Sequence, residues 1–328
     1  MRMPLTAIFT SLGIGLAVVA PGAQASLGAI AVESGQPGIV RASAVHRLGG
    51  FLSPQTLPIV SKGLDDRDPL VRAASAQALA GADARTRSRL LPRLLADPVR
   101  EVRMEAARSL AGDAEAGLAP PERIRFDSAL AEWVAGQRFN ADRPEANTAL
   151  GTLLALRGDP GGAEAAYRRA IEIDPTYVEA AINLADLFRT QARDAEAERT
   201  LRAALERSPR SAPLHHALGL SLVRQQRQPE ALAELGRAAG LAPADARFAY
   251  VYGVALNDTG KRAEALRVLD TALARSPYDR ELLMALVSYQ LAAGNAAAAR
   301  RHAALLRELE PGNPEIERMA NELSRAPG

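Results

Sequence analysis

An all-α solenoid is predicted from three observations. Prolines recur every 34 residues, at Pro175, Pro209, Pro243, Pro277 and Pro311. Upstream, a Val-Arg pair recurs every 31 residues, at Val40-Arg41, Val71-Arg72 and Val102-Arg103. The 328-residue chain is 48% hydrophobic but only 4% aromatic. Its buried surface must therefore come mostly from Ala and Leu, which suits close-packed helices better than sheets.

The 34-residue period carries more than proline. Twelve residues before each proline stands Ala163, Ala197, Ala231, Ala265 or Ala299. Eight before it stands Tyr167, Leu201, Leu235, Leu269 or Ala303. The preceding segment holds Leu150-Gly151, Leu184-Ala185, Leu218-Gly219, Tyr252-Gly253 and Leu286-Val287. The small residue after Leu lets two helices of a repeat approach. The mid-repeat Ala does the same from the second helix, and the large residue fills the gap to the neighbouring repeat. Proline stops the second helix, because it lacks an N–H and clashes with the preceding turn. Turns are signalled at Gly158-Asp159-Pro160-Gly161, Asp258-Thr259-Gly260 and Gly294-Asn295.

This pattern resembles the tetratricopeptide repeat family over residues 143–313, five repeats without an insertion. The resemblance implies a right-handed superhelix with a concave face lined by the first helix of each repeat. The fifth repeat departs from the pattern, with Val287 at a small position and Ala303 at a large one. Residues 314–328 are read as a capping helix, Pro314 to Arg325, and a tail.

The 31-residue period also repeats Leu48, Leu79 and Leu110, then Gly50, Gly81 and Gly112. Asp68-Pro69 and Asp97-Pro98 stand where proline can begin a helix. Residues 26–113 resemble short HEAT-like repeats, with the first helix of the first repeat near Ala23 to Glu33. Residues 114–142 join the arrays. Projecting the 34-residue register backwards places Ala129 and Trp133 at its small and large positions, so Pro120 to Arg138 reads as a half-repeat and Trp133 as core.

The N-terminus has the form of an export signal. Arg2 precedes an apolar stretch from Leu5 to Ala20, and Ala23-Gln24-Ala25 fits a small-x-small cleavage pattern. The expectation is a signal peptide over residues 1–25 and a periplasmic protein of bacterial type, with no membrane insertion after cleavage.

Composition narrows function. There is no cysteine, which removes disulfides, thiol chemistry and Cys-bound metals. The formal charge is +2, with arginines interspersed among acids and no basic-aromatic stripe, so nucleic-acid binding is not expected. There is no GxSxG, P-loop or HExxH motif. Asp65, Asp66 and Asp68 lack the remaining ligands of a calcium loop and read as a polar turn. Adjacent His215 and His216 diverge by about 100° on a helix and share a metal poorly. His215 reads as structural and His216 as facing the groove. No catalytic residue, cofactor or metal ligand is assigned.

By register, the concave face would run through Thr148 and Thr152, then Asn183, Asp186 and Arg189. It continues through His216, Leu220, Tyr250, Val254 and Asn257, and ends at Met284 and Ser288. A polar start, an apolar middle and an aromatic suit an extended peptide or partner helix, with Tyr250 as anchor. Some family members grip chaperone tails with a carboxylate clamp; here only Asn183 falls on a clamp position, which argues against that role. The expected function is a non-catalytic scaffold for a protein or extended peptide. The order of the two arrays also resembles the C-terminal half of periplasmic multihaem cytochromes, without their haem motifs. The alternative is therefore an accessory subunit of an electron-transfer or other envelope enzyme complex, with a cytochrome as partner.

Overall fold

A computed structural model describes residues 22–325, so the export-signal reading lies largely outside the described residues. Every regular element within them is helical. In order these are α1 (Ala23–Val32), α2 (Gly38–Leu48), α3 (Leu57–Gly63), α4 (Pro69–Ala78), α5 (Ala84–Leu90), α6 (Arg100–Leu110) and α7 (Pro120–Phe139). Five helix pairs follow. They are α8 (Pro144–Leu156) with α9 (Pro160–Ile173), α10 (Val178–Thr190) with α11 (Asp194–Arg207), α12 (Ala212–Arg224) with α13 (Gln228–Leu241), α14 (Ala246–Asp258) with α15 (Arg262–Leu273), and α16 (Arg280–Ala292) with α17 (Ala296–Leu309). The last helix is α18 (Pro314–Arg325). Short 3-10 turns extend α2 and α4 and flank α6. The chain forms two compact units, Ala23–Thr200 and from Leu201 onward.

In the first unit the Val-Arg motif has two jobs. Val71 and Val102 are fully buried, whereas Val40, in the first repeat, is 40% exposed. The arginine beside each valine makes an ion pair. Arg41 pairs with Asp66. Arg72 grips both carboxylate oxygens of Asp97, at 2.7 and 2.9 Å. Arg103 meets both oxygens of Glu132 at 3.1 Å. Arg72 and Arg103 also donate to the carbonyls of Asp66 and Asp97. Burial alone would raise the pKa of Asp66 and Asp97; their arginines and backbone N–H donors outweigh it and hold both carboxyls below the usual range.

The aspartates of the turn are thereby accounted for. Asp68 caps α4 by accepting from the Leu70 N–H at 2.9 Å. Asp65 pairs with Arg93. Among the described residues, no group of three or more acidic or histidine side chains is placed to hold a metal ion.

Helix α7 closes this ladder. Its Glu132 stands in for the aspartate that a further 31-residue repeat would supply. Phe126, Ala129, Leu130 and Trp133 join the same apolar cluster as Leu110 of α6 and Leu153 of α8. Trp133 is 9% exposed and is core.

In the five pairs, each first helix turns into its second through one residue of positive φ. These residues are Gly158 (77°), Ala192 (58°), Gln226 (61°), Gly260 (82°) and Gly294 (78°), spaced by 34. The next N–H reaches back to a carbonyl five residues earlier, as from Arg193 to Phe188 at 2.8 Å and from Asn295 to Gln290 at 2.8 Å. That closure satisfies the last carbonyls of the first helix.

The small-residue position is a close approach. A Cβ added at Gly151 would lie 2.6 Å from the Tyr167 ring. One added at Gly219 or Gly253 would lie 2.7 Å from Leu235 or Leu269. The large residue thus packs first on the glycine of its own repeat, not only across the gap to the next. Leu235 does both, because it also clusters with Val251 and Ala255 of the following repeat. In the fifth repeat the sizes invert: Val287 and Ala303 are both buried in one cluster with Leu286 and Leu306. The swap keeps total volume while reversing which helix supplies it. Helix α18 lays Ile316 and Leu323 on that cluster.

Candidate functional site

The residues assigned to the first-helix faces fall into two groups, one in each unit. In the first unit they lie on α8 and α10 and form a polar strip. Thr148 is buried, and its hydroxyl donates to the Pro144 carbonyl at 2.8 Å, a bond internal to α8. Thr152 is exposed and accepts from the Tyr167 hydroxyl at 3.2 Å. Asn183 is half-buried. Asp186 and Arg189, one helical turn apart, pair at 2.8 Å. Burial dominates the Asp186 carboxyl: its pKa is pushed up to about 6, although Arg189 acts to lower it. Arg189 therefore meets a carboxyl that is partly protonated in mildly acidic solution.

The second group, on α12, α14 and α16, is apolar. Leu220 and Val254 are 6% and 7% exposed, so they are packing residues and not lining. The reason is geometric. Leu220 is held in a cluster with Leu235, Val251 and Ala255. His216 is also buried, and its ring lies 5.0 Å from the Phe248 ring at a tilt of 53°. Burial, then the neighbouring Arg247, bring its pKa down to about 4, so the imidazole is neutral at pH 7. Its Nδ1 has no hydrogen-bond partner, and neither does Nε of Arg247.

What stays accessible is Tyr250, Asn257, Met284 and Ser288. Tyr250 and Met284 are half-buried and pack on the cluster formed by Ala246, Leu282 and Leu283. Asn257 accepts from Arg262 at 3.2 Å, and Ser288 is exposed.

Two residues here escape the register argument. Tyr289 is half-buried beside Tyr250 and Met284, and burial raises its phenol pKa. The same position in the other repeats holds Leu153, Leu187, Ser221 and Ala255, all buried, so periodicity assigns it to the core. Arg247 lies in the first turn of α14, where its Cζ stands 5.2 Å from the Phe248 ring. A lone arginine at a helix start carries no distinguishing sequence signal.

The arrangement can bury an apolar or aromatic side chain against Tyr250, Met284 and Tyr289. It can hydrogen-bond a backbone through the polar strip on the first unit. It places no nucleophile beside a base. Among the described residues no helix is long and apolar enough to cross a membrane.

An all-α tandem-repeat protein is the class defined by this fold. Residues 25–111 match the model for HEAT repeats. Residues 154–222 match one tetratricopeptide repeat model, and residues 125–178 and 216–280 match another. The chain is thus a repeat protein in which HEAT repeats are followed by tetratricopeptide repeats. No curated protein matches it. Among solved structures it is similar to PilF of Pseudomonas aeruginosa, at 24% identity over 58% of this chain and 85% of that one, with a TM-score of 0.47. It is similar to YrrB, described as a TPR protein with an unusual peptide-binding site, at 19% identity over 59% of this chain and 98% of that one, TM-score 0.42. It is also similar to MamA, at 18% identity over 53% and 97%, TM-score 0.41.

Proposed function

We propose that this protein is a non-catalytic scaffold that binds a partner protein, as an extended peptide or helix, on the first-helix faces of its tetratricopeptide repeats. One observation carries the reading: Tyr250, Met284 and Tyr289, on α14 and α16, are each half-buried and pack on the same apolar cluster, which leaves aromatic and thioether surface open to a partner. Tyrosine supplies large contact area at low entropic cost, and Met adapts to irregular partners. We further propose that the protein is exported and cleaved after Ala25, which forms part of the first turn of α1.

Residues 26–328 serve as bait for an envelope extract, beside a Tyr250→Ala/Met284→Ala variant. A partner retained by the native bait and lost by the variant supports the reading; the loss should be about 1–3 kcal/mol per anchor. Equal retention overturns the assignment of the site. The mass of the exported chain checks the cleavage point.

A further inference from the structure

Helix α7 carries two apolar faces. Phe126, Ala129, Leu130 and Trp133 are buried in the core of the first unit. At about 100° per residue, Ile124, Ser128, Ala131, Ala135 and Phe139 stand half a turn round from them, and all five are exposed. Ile124 is 73% and Phe139 89% exposed, more than any other large apolar side chain among the described residues. A surface helix ordinarily turns polar side chains outward. Here the outward face advances from Ile124 to Ser128, Ala131 and Ala135, alternating the longer and shorter steps of a seam between paired helices. Its ends are large and its middle is small.

The order along this face reads the same from either end. Turned end for end about a point between Ala131 and Glu132, Ile124 takes the place of Phe139, and Ser128 takes that of Ala135. Two antiparallel copies of α7 related by a two-fold axis therefore set Ile124 of each against Phe139 of the other. Ser128 meets Ala135 of the second copy, and Ala131 meets its own counterpart at the centre. Small residues there let the helix axes approach to about 8 Å. Such a contact is isologous and closes on itself as a dimer.

Charge fits the same arrangement. Asp127 and Arg138 are both exposed and lie on one flank of the face, about 20° apart in projection. In the antiparallel pair, Asp127 of one copy comes within about 3 Å, along the helix axis, of Arg138 of the other. Two symmetric ion pairs result. Within its own chain Arg138 meets no carboxylate among the described residues. Asp127 has Arg123 at 3.3 Å, and the two side chains are 54% and 41% exposed, so the pair is open to a further cation. Parallel copies would instead set Asp127 on Asp127 and Arg138 on Arg138. Arg125 stands off the face, and in the antiparallel pair its two copies lie about 20 Å apart along the axis.

We propose that α7 is a dimerisation helix: two copies of this chain pair through antiparallel α7 helices, with Ile124 of each packed on Phe139 of the other and Asp127 of each facing Arg138 of the other. This surface belongs to the first unit and does not depend on the partner site on α14 and α16. The test is sedimentation of the full chain over micromolar concentrations, where a contact of one helix per copy associates. A monomer–dimer equilibrium is expected. Phe139→Ser removes the largest exposed anchor without touching the core and should weaken the dimer about tenfold or more. Asp127→Arg and Arg138→Asp should each weaken it severalfold; joined in one chain they should restore it, because the charges have only changed places. The chain has no cysteine, so introduced thiols report the orientation. Ala131→Cys should form an interchain disulfide under mild oxidation. Ser128→Cys, whose copies stand about 10 Å apart along the axis, should not, but it should cross-link to Ala135→Cys when the two are mixed. All these positions are exposed, so helicity by circular dichroism should be unchanged in every variant. The proposal is overturned if the native chain stays monomeric or if Phe139→Ser dimerises like it. It is equally overturned if Ser128→Cys cross-links to itself as readily as Ala131→Cys.

Discussion

Arg72 in the 31-residue array and Gly253 in the 34-residue array each mark a point where one helix meets another, and they meet in opposite ways. At Arg72 the contact is ionic: a half-buried guanidinium reaches across to the next repeat and is matched by both oxygens of the buried Asp97. At Gly253 the contact is steric: the absence of a side chain lets Leu269 close to within 2.7 Å of where a Cβ would be. A long side chain can tolerate small shifts of its helix; a missing Cβ cannot. The 31-residue repeats accordingly vary their connecting turns, including short 3-10 pieces, while the 34-residue repeats hold one turn geometry five times.

The largest effect expected from breaking this contrast is at the ladder. Arg72→Ala leaves Asp97 buried without its partner and should cost about 3–5 kcal/mol. Arg72→Lys should recover only part of this, because an ammonium cannot match both oxygens. Urea denaturation followed by Trp133 fluorescence reads the unit that contains the ladder. A loss below 1 kcal/mol would mean that the ion pairs are ornaments on an apolar stack.

A second experiment sharpens the comparison through pH. His216, neutral and held near pKa 4 against an ordinary 6.5, belongs to the second unit. Its unfolded form takes up protons first, so stability is full above pH 6.5 and falls as pH drops towards 4. Asp186, held near 6 against an ordinary 3.8, belongs to the first unit. Its folded form takes up protons first, so acidification from pH 6 to 4 relieves a cost. Each contribution is at most about 3 kcal/mol. Over that window Trp133-monitored stability should rise relative to the value at pH 7, while hydrogen exchange in α12 should accelerate. His216→Phe and Asp186→Asn should each flatten their own trend. Slopes of the same sign in both units would contradict the assignments.

The smallest effect tests the steric rule by exchange. Gly253→Val alone overpacks against Leu269 and should cost about 1–3 kcal/mol. Adding Leu269→Ala should return much of this, since the pair then copies Val287 with Ala303 in the fifth repeat. Additive losses in the double variant would show that the fifth repeat owes its packing to something other than the exchange of sizes.

The repeats were legible because both arrays repeat side chains whose size or charge is the packing contact. The turns were half legible. Glycine announces the left-handed residue at Gly158, Gly260 and Gly294, but Ala192 and Gln226 adopt the same conformation without a glycine. There the geometry of the helix pair imposes a backbone that the residue itself disfavours. The binding faces were least legible. Periodicity says which way a residue points from its own helix, not how far the neighbouring helix covers it. His216, Leu220 and Val254 are covered, while Tyr289, at a core position by register, is only half-covered.

Glu132 and Trp133 sit side by side on α7, one completing the ion-pair ladder and the other filling the apolar core. Successive residues on a helix point about 100° apart. Deleting a single residue upstream of them within α7 would therefore swing both off their targets at once. Two repeat systems of different period meet on this helix, and it acts as the gear tooth that keeps them in phase. The spacing along α7 is thus constrained by two contacts of different kinds at once.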